Sequence, residues 1–102
     1  MNHPELVLLV KFKSRLSLDE VTAIMNRRAD DFRALAGLEQ KYYLRDSVSG
    51  EYAGLYLWTS REAFTTYRDS ELRASIAEAY QAEGEPRVEV FQVLQVLRET
   101  KA

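Results

Sequence analysis

The sequence contains no cysteine, which excludes disulfide bonds, thiolate nucleophiles and cysteine-ligated metal centres. Its single histidine is His3, so a catalytic triad or a multi-histidine metal site would have to use that one residue. Glycine and proline are scarce, at 4 and 2 residues, which argues against a loop-dominated or disordered chain. The glycines are too scattered to form a phosphate-binding loop or a dinucleotide fingerprint. We therefore expect neither a metal nor a bound cofactor.

Neither sign of charge is in excess, since 14 Lys and Arg stand against 16 Asp and Glu, for a formal net charge of -2. A protein that binds duplex nucleic acid needs a concentrated basic face, so no nucleic-acid partner is expected. The apolar run at residues 6–10 is far shorter than the roughly 20 residues that span a bilayer, and it lacks the features of a signal peptide. These absences predict a cytoplasmic protein with no membrane association.

The 102 residues, 46% of them hydrophobic, predict one globular domain over residues 1–102. Apolar patterning predicts strands at residues 5–13, 38–45, 52–58 and 87–97. A capping box at residues 17–20 begins the first helix, which ends before Gly37. A second capping box at residues 59–62 begins another helical region, in which Asp69 or Ser70 caps a further turn.

The predicted order of elements is βαββαβ. With right-handed crossovers, this order gives the ferredoxin-like α+β arrangement of four antiparallel strands with helices on one face. The first and last strands are nevertheless apolar on both faces, and soluble monomers rarely expose a large apolar patch. We therefore predict a homodimer in which the two sheets pack face to face. The alternative is that polar side chains break up the apolar surface of the second face enough for a monomer to expose it. These side chains are Lys11, Glu89, Gln92 and Gln95.

Three segments, at residues 36–38, 41–43 and 53–63, resemble the YdhR-like monooxygenases of the dimeric α/β-barrel superfamily. The resemblance runs from Leu6 to about Leu97, and residues 88–93 are similar to the last strand of that family. It implies a ferredoxin-like protomer, a sheet-to-sheet homodimer and a pocket between the sheet and the helices. It also implies relation to cofactor-free monooxygenases that form quinones.

Residues 58–67 are also similar to a stretch of the haem-degrading monooxygenases in the same superfamily. In those proteins an aromatic residue covers the haem and a histidine ten positions later binds the iron. The equivalent positions here are Tyr67 and Ala77, and alanine cannot ligate iron. Haem degradation is therefore not expected. In the cofactor-free branch a tyrosine soon after the tryptophan is often implicated, and the nearest equivalent here is Phe64.

The candidate catalytic residues are Trp58, for stacking on a planar substrate, and Tyr67, for handling a proton. The structural alternative is that Trp58 caps the core at the end of its strand and that Tyr67 is a buried tyrosine whose hydroxyl reaches water at the rim. The candidate substrate-binding residues are Tyr42, Tyr56, Phe64, Arg68 and Tyr80.

Tyr42 and Tyr43 must point to opposite faces of the sheet, so only one of them can face the pocket, and the alternation does not say which. Lys41 shares the face of Tyr43. A buried lysine can act as a base, but exposed lysines are far more common, and a surface position is expected.

These features favour a cofactor-independent monooxygenase that acts on a small planar aromatic compound of the phenolic or quinol type. Its weakness is that no strong general base converges on the predicted pocket, since tyrosine has an ordinary pKa near 10. The alternative is a non-catalytic homodimer that binds a small ligand on the same scaffold. The resemblance implies a third possibility, isomerisation or dehydration of a small lactone or polyketide, since this superfamily's fold supports such reactions elsewhere. The fold alone does not choose among the three, because function resides in the site.

Overall fold

The computed structural model describes residues 3–98 and places helices on one face of a four-stranded antiparallel sheet. The strands are β1 (Leu6–Phe12), β2 (Leu38–Arg45), β3 (Tyr52–Trp58) and β4 (Arg87–Gln92). The helices are α1 (Leu18–Arg33), α2 (Arg61–Arg68) and the short α3 (Glu71–Ala74) and α4 (Ile76–Ala79). The strand order is β2-β3-β1-β4. The predicted ferredoxin-like α+β fold is therefore confirmed.

The last strand is shorter than its apolar pattern predicts. It ends at Gln92, which pairs with Leu6, the first residue of β1, so that beyond this point β1 offers no further partner. One more backbone bond joins Val93 N–H to the Glu5 carbonyl, and the side chains of Leu94 and Leu97 are then almost fully exposed. The prediction of a strand up to Leu97 is wrong, because apolar content alone does not supply a neighbouring strand.

The helix starts depend on serine side chains. Ser17 and Glu20 form the predicted capping box at the start of α1. The predicted box at residues 59–62 is wrong, because the N-cap of α2 is Ser60, whose hydroxyl accepts from Ala63 N–H at 3.1 Å. The hydroxyl of Thr59 instead donates to the Gly37 carbonyl at 3.2 Å, tying the turn after α1 to the end of β3.

Gly37 is required at that turn for two independent reasons. Its φ of +80° lies in the left-handed region, which side chains other than glycine rarely adopt. A Cβ atom at this position would also lie 2.3 Å from the Cβ of Ala63 in α2. The close approach fixes the beginning of α2 against the end of α1, and both helices border the candidate site.

The two faces of the sheet differ in cover. On the helix-facing side, residues of β1 and β3 are buried against Phe32 of α1 and against Phe64 and Tyr67 of α2. The opposite side, here called the open face, is covered by no described residue and is largely apolar. Its apolar side chains are Val7, Leu9, Tyr42, Leu44, Leu55, Leu57 and Phe91.

Polar side chains occupy only part of the open face. Lys11 and Glu89 lie on it as expected, and Lys11 pairs with Asp46 in the β2–β3 turn. Gln92 does not, because it pairs with Leu6 and so shares the helix-facing side. Within residues 3–98, no helix combines the length and the apolar character that crossing a membrane requires.

Candidate functional site

Three aromatic side chains fill the space between β3 and α2. Tyr56 and Trp58 alternate onto the helix-facing side of β3, and their rings stack with an interplanar angle of 3°. Tyr67 of α2 packs against both, with ring centroids 5.3 Å from Tyr56 and 5.2 Å from Trp58. All three are at most 1% exposed. Trp58 and Tyr67, the predicted catalytic pair, are therefore core residues, and they also lie at the base of a surface groove of about 350 Å³ beside the end of α1 and the start of α2.

A hydrogen bond joins the two phenols of this group. The Tyr67 hydroxyl donates to the Tyr56 hydroxyl over 3.2 Å, which leaves the Tyr56 proton available to a further acceptor. Burial raises the pKa of both hydroxyls, most strongly that of Tyr56. Both are therefore protonated at neutral pH and can serve as hydrogen-bond donors, but not as bases.

Lys41 lies next to this group, on β2 directly opposite Tyr56. Its Nζ atom is 3.4 Å from the ring centroid of Phe32, 4.4 Å from that of Tyr43 and 4.6 Å from that of Tyr56. Among residues 3–98, no carboxylate lies within ion-pair distance of it. The aromatic faces attract a cation, but they do not replace the water that burial removes.

The charge of Lys41 is consequently easy to lose. Burial, together with the positive charge of Arg28, lowers the pKa of Lys41 to about 7. Arg28 is held between α1 and the short helices, where it donates to the Ser75 hydroxyl at 3.0 Å. The lysine therefore changes between ammonium and neutral amine near physiological pH.

Gly54 of β3 makes room for this arrangement. It faces Tyr43 across the β2–β3 pair, and a Cβ atom there would lie 2.9 Å from the Tyr56 ring and 3.3 Å from Lys41 Cε. The space left by the missing side chain is a cavity of about 20 Å³, enough for one water molecule. Tyr52, Tyr56, Tyr80, Met25 and Ile76 also line it.

A wider groove opens outside the cavity, between α1 and β2. Its volume is about 310 Å³, which is in the range of small-ligand sites. Lys41 and Tyr43 line both the groove and the inner cavity, so they form the boundary between the two. The remaining lining comes from Ala29, Phe32, Arg33, Leu38, Glu39 and Gln40. The groove and the cavity together are called the cleft.

The cleft contains only some of the residues predicted to bind substrate. Tyr56 and Tyr80 line the inner cavity. Tyr42 does not, because strand alternation places it on the open face and gives the cleft position to Tyr43. Phe64 is buried in the core, and Arg68 is exposed and paired with Asp69. The helix turn that carries both therefore packs away from the cleft.

Lys41 was expected at the surface, and it is instead half-buried where the groove meets the cavity. The residue type favours exposure. The one signal that pointed inward was the glycine at position 54, flanked by aromatic residues on the helix-facing side of the neighbouring strand. A missing side chain on a packed strand leaves room for a long one from the next strand.

The fold has relatives among solved structures. SnoaB, a cofactor-independent oxygenase from Streptomyces nogalater, superposes with a TM-score of 0.73 at 20% identity, over 94% of this chain and 99% of that one. The protein NE2512 of unknown function from Nitrosomonas europaea gives a TM-score of 0.77 at 12% identity, over 99% and 100%. Rv0793 from Mycobacterium tuberculosis gives 0.68 at 20% identity, over 91% and 98%. At these identities the likeness shows the fold alone.

The family is shown by the sequence itself. No curated protein matches the chain. The model of the family described as "Putative mono-oxygenase ydhR" matches residues 7–102, which is nearly the whole sequence. The chain therefore belongs to the ydhR mono-oxygenase family.

Proposed function

We propose that this protein is a cofactor-independent monooxygenase that oxidises a small planar phenolic or quinol-type compound bound in the cleft. The observation that carries the proposal is the groove of about 310 Å³, whose floor is formed by aromatic rings and one easily neutralised lysine. Such a floor suits a flat aromatic substrate, and the family and the SnoaB fold support oxygen chemistry. No described cluster of residues offers metal-ligating spacing.

The reaction requires no reductant, because the substrate supplies all the electrons. In an anthrone, loss of one proton gives a delocalised carbanion that passes an electron to dioxygen. The ring CH₂ becomes a carbonyl, one oxygen atom enters the product and the other leaves as water. The protein contributes a dry site that binds the substrate anion and excludes water.

The two predicted catalytic residues act at a distance in this proposal. Tyr67 holds the Tyr56 hydroxyl at the inner cavity, where one water would carry its hydrogen bond to a substrate in the groove. Trp58 stacks on Tyr56 and fixes the plane of its ring. Tyr80 closes the inner end of the cavity, where burial raises the pKa of its hydroxyl to about 12. It therefore stays protonated.

The functional unit in this proposal is a homodimer built through the open face. That face carries half-exposed Tyr42 and Phe91 around the half-buried aliphatic side chains of β1 and β3. A second copy would cover this surface and leave the cleft, which lies on the other side of the sheet, free for substrate. Cytoplasmic localisation remains part of the proposal.

The dimer is tested by sedimentation of two variants of β4. Phe91→Asp introduces a charge on the open face and is expected to give a folded monomer, because the side chain is already 50% exposed. Val88→Asp is the matched control, since Val88 is 46% exposed on the opposite side of the same strand. The dimer is contradicted if the wild type sediments as a monomer at micromolar concentration, or if the two variants sediment alike.

One observation favours the second candidate, a non-catalytic protein that binds a small ligand. Trp58 and Tyr67 are almost completely buried although a groove of about 350 Å³ lies beside them, and the inner cavity holds no more than one water. A binding protein needs only the outer groove. The two candidates differ in whether oxygen is consumed when a ligand occupies that groove.

Oxygen uptake with a panel of hydroquinones and anthrones separates them. We expect turnover above the buffer rate for the wild type and a reduced rate for Tyr67→Phe, which removes the bond to Tyr56. Tyr42→Phe is the matched control, because it removes the same atom on the open face. Absence of uptake across the panel contradicts the enzyme, and binding without uptake supports the second candidate.

A further inference from the structure

We infer that Lys41 is the general base of this site and takes the acidic proton of a planar phenol bound in the groove. This inference rests on the proposed function for the chemistry that follows, but the proton transfer itself can be measured without turnover. From the sequence, Lys41 was considered for that role, but a surface position was expected. The geometry that assigns it is the position of Nζ at the boundary between groove and cavity, with no carboxylate partner among the described residues.

The surroundings of Nζ decide its reactivity. Lys11 shows the contrasting arrangement, because its ammonium pairs directly with the carboxylate of Asp46. Lys41 has rings on three sides, and the titratable groups around it include two cations and one anion. From α1 these groups are Arg28 and Arg33, from β2 Tyr43 and Glu39, from β3 Tyr56, and from the end of α4 Tyr80. Only Glu39 among them carries negative charge.

This environment favours the phenolate over the phenol. The neutral amine of Lys41 forms an N–H bond as the phenol O–H bond breaks, and the electron pair stays on the phenol oxygen. The products are an ammonium and a phenolate in contact, with Arg28 adding a second positive charge nearby. Because the transfer leaves the two opposite charges in contact, the ammonium at Lys41 gains the anionic partner that the described residues do not give it, which is why the transfer is favourable here and not at an exposed lysine. In the full reaction the phenolate is the species that reacts with oxygen.

The transfer is observed directly with β-naphthol, whose neutral and anionic forms differ in absorbance and fluorescence. At mildly alkaline pH, free β-naphthol is neutral and Lys41 is an amine. We expect the wild type to bind it as naphtholate with no net release of protons to the buffer. Lys41→Met should bind it only as the neutral naphthol. Lys41→Arg, which keeps a cation but accepts no proton, should release a proton whenever the anion forms.

Lys13→Met is the matched control, because it makes the same change at an exposed lysine and should behave like the wild type. In oxygen uptake, we expect Lys41→Met to lower kcat/KM by about 100-fold or more, the usual contribution of a general base. We also expect the wild-type kcat/KM to fall as the pH drops through about 7, because protonated Lys41 cannot accept a proton. That dependence on pH should vanish in Lys41→Met.

The two proposals fail in different ways. The role of Lys41 is overturned if the wild type binds β-naphthol in its neutral form or does not bind it at all. It is also overturned if Lys41→Met turns over substrate as fast as the wild type. Naphtholate formation at Lys41 without oxygen uptake by any compound of the panel overturns the monooxygenase and leaves the base in place. Circular dichroism of Lys41→Met and Lys41→Arg checks that both variants fold. The pH dependence of the wild type tests the role without any substitution.

Discussion

Replacing Lys41 with methionine should change how the stability of the protein depends on pH. Methionine has a similar length and no charge, so it fits among the rings that surround the lysine. Below about pH 7, Lys41 is protonated in the folded and in the unfolded chain, and the folded state bears the full cost of the buried charge. Between about 7 and 10.5 the folded lysine is neutral while the unfolded one still binds a proton. The free energy of unfolding therefore rises with pH in this window.

The magnitude follows from the width of the window. Each pH unit adds about 1.4 kcal/mol to the wild-type free energy of unfolding, and the whole interval from about 7 to 10.5 adds about 5 kcal/mol. Lys41→Met lacks this contribution. The difference in free energy of unfolding between the wild type and the variant should accordingly shift in favour of the wild type as the pH rises from about 7 to 10.5. The difference is most favourable to the variant below about pH 7. Other groups that titrate in the same range cancel, because both proteins contain them.

Urea unfolding at a series of pH values measures the difference. Trp58 is the only tryptophan and is fully buried, so its fluorescence reports unfolding. The protein concentration must be the same throughout, since association would contribute to stability. Lys13→Met should give a curve parallel to that of the wild type. If the curve of Lys41→Met is also parallel to the wild type from about pH 7 to 10, the burial argument is refuted.

Three further substitutions test the packing around the cleft. Gly37→Ala should lower the free energy of unfolding by about 1–3 kcal/mol or more, because it combines an unfavourable φ with a clash against Ala63; urea titration measures it. Gly54→Ala should displace the Tyr56 ring and cost about 1–3 kcal/mol, and it should also weaken β-naphthol binding; unchanged affinity would contradict the cavity. Ser17→Ala should cost about 1 kcal/mol through the lost cap of α1 and leave β-naphthol binding unchanged.

Local patterns predicted the elements of this fold well because their causes are local. The box at residues 17–20 satisfies backbone groups within one turn of helix, and it forms as expected. The predicted β2 and β3 agree with the observed bounds, since a short turn joins two complementary strands. The end of β4 was missed for the opposite reason. Its length depends on where β1 begins, at the other end of the chain.

The candidate site was predicted only in part. Alternation along β2 required one of Tyr42 and Tyr43 to face the helices, but the choice between them depends on pairing with β3. Trp58 and Tyr67 do lie beside a groove, yet their rings pack against each other and leave almost no exposed surface. Ring packing is a property of several elements together, so the spacing of residues in the chain does not determine it.

The sequence by itself determined the ferredoxin-like order of elements, the family, and the apolar character of both sheet faces. Each of these follows from the periodicity and chemistry of contiguous segments. Only the tertiary structure decided which residues form the cleft. Lys41 reads as a surface lysine in the sequence. It becomes a half-buried amine because Gly54 on the next strand leaves room, and because Phe32, Tyr43 and Tyr56 converge on it from two strands and a helix. Lys41 loses its proton easily because folding removes water from its ammonium group and because no described residue gives it a carboxylate partner. Both causes are properties of the folded surroundings and not of any motif.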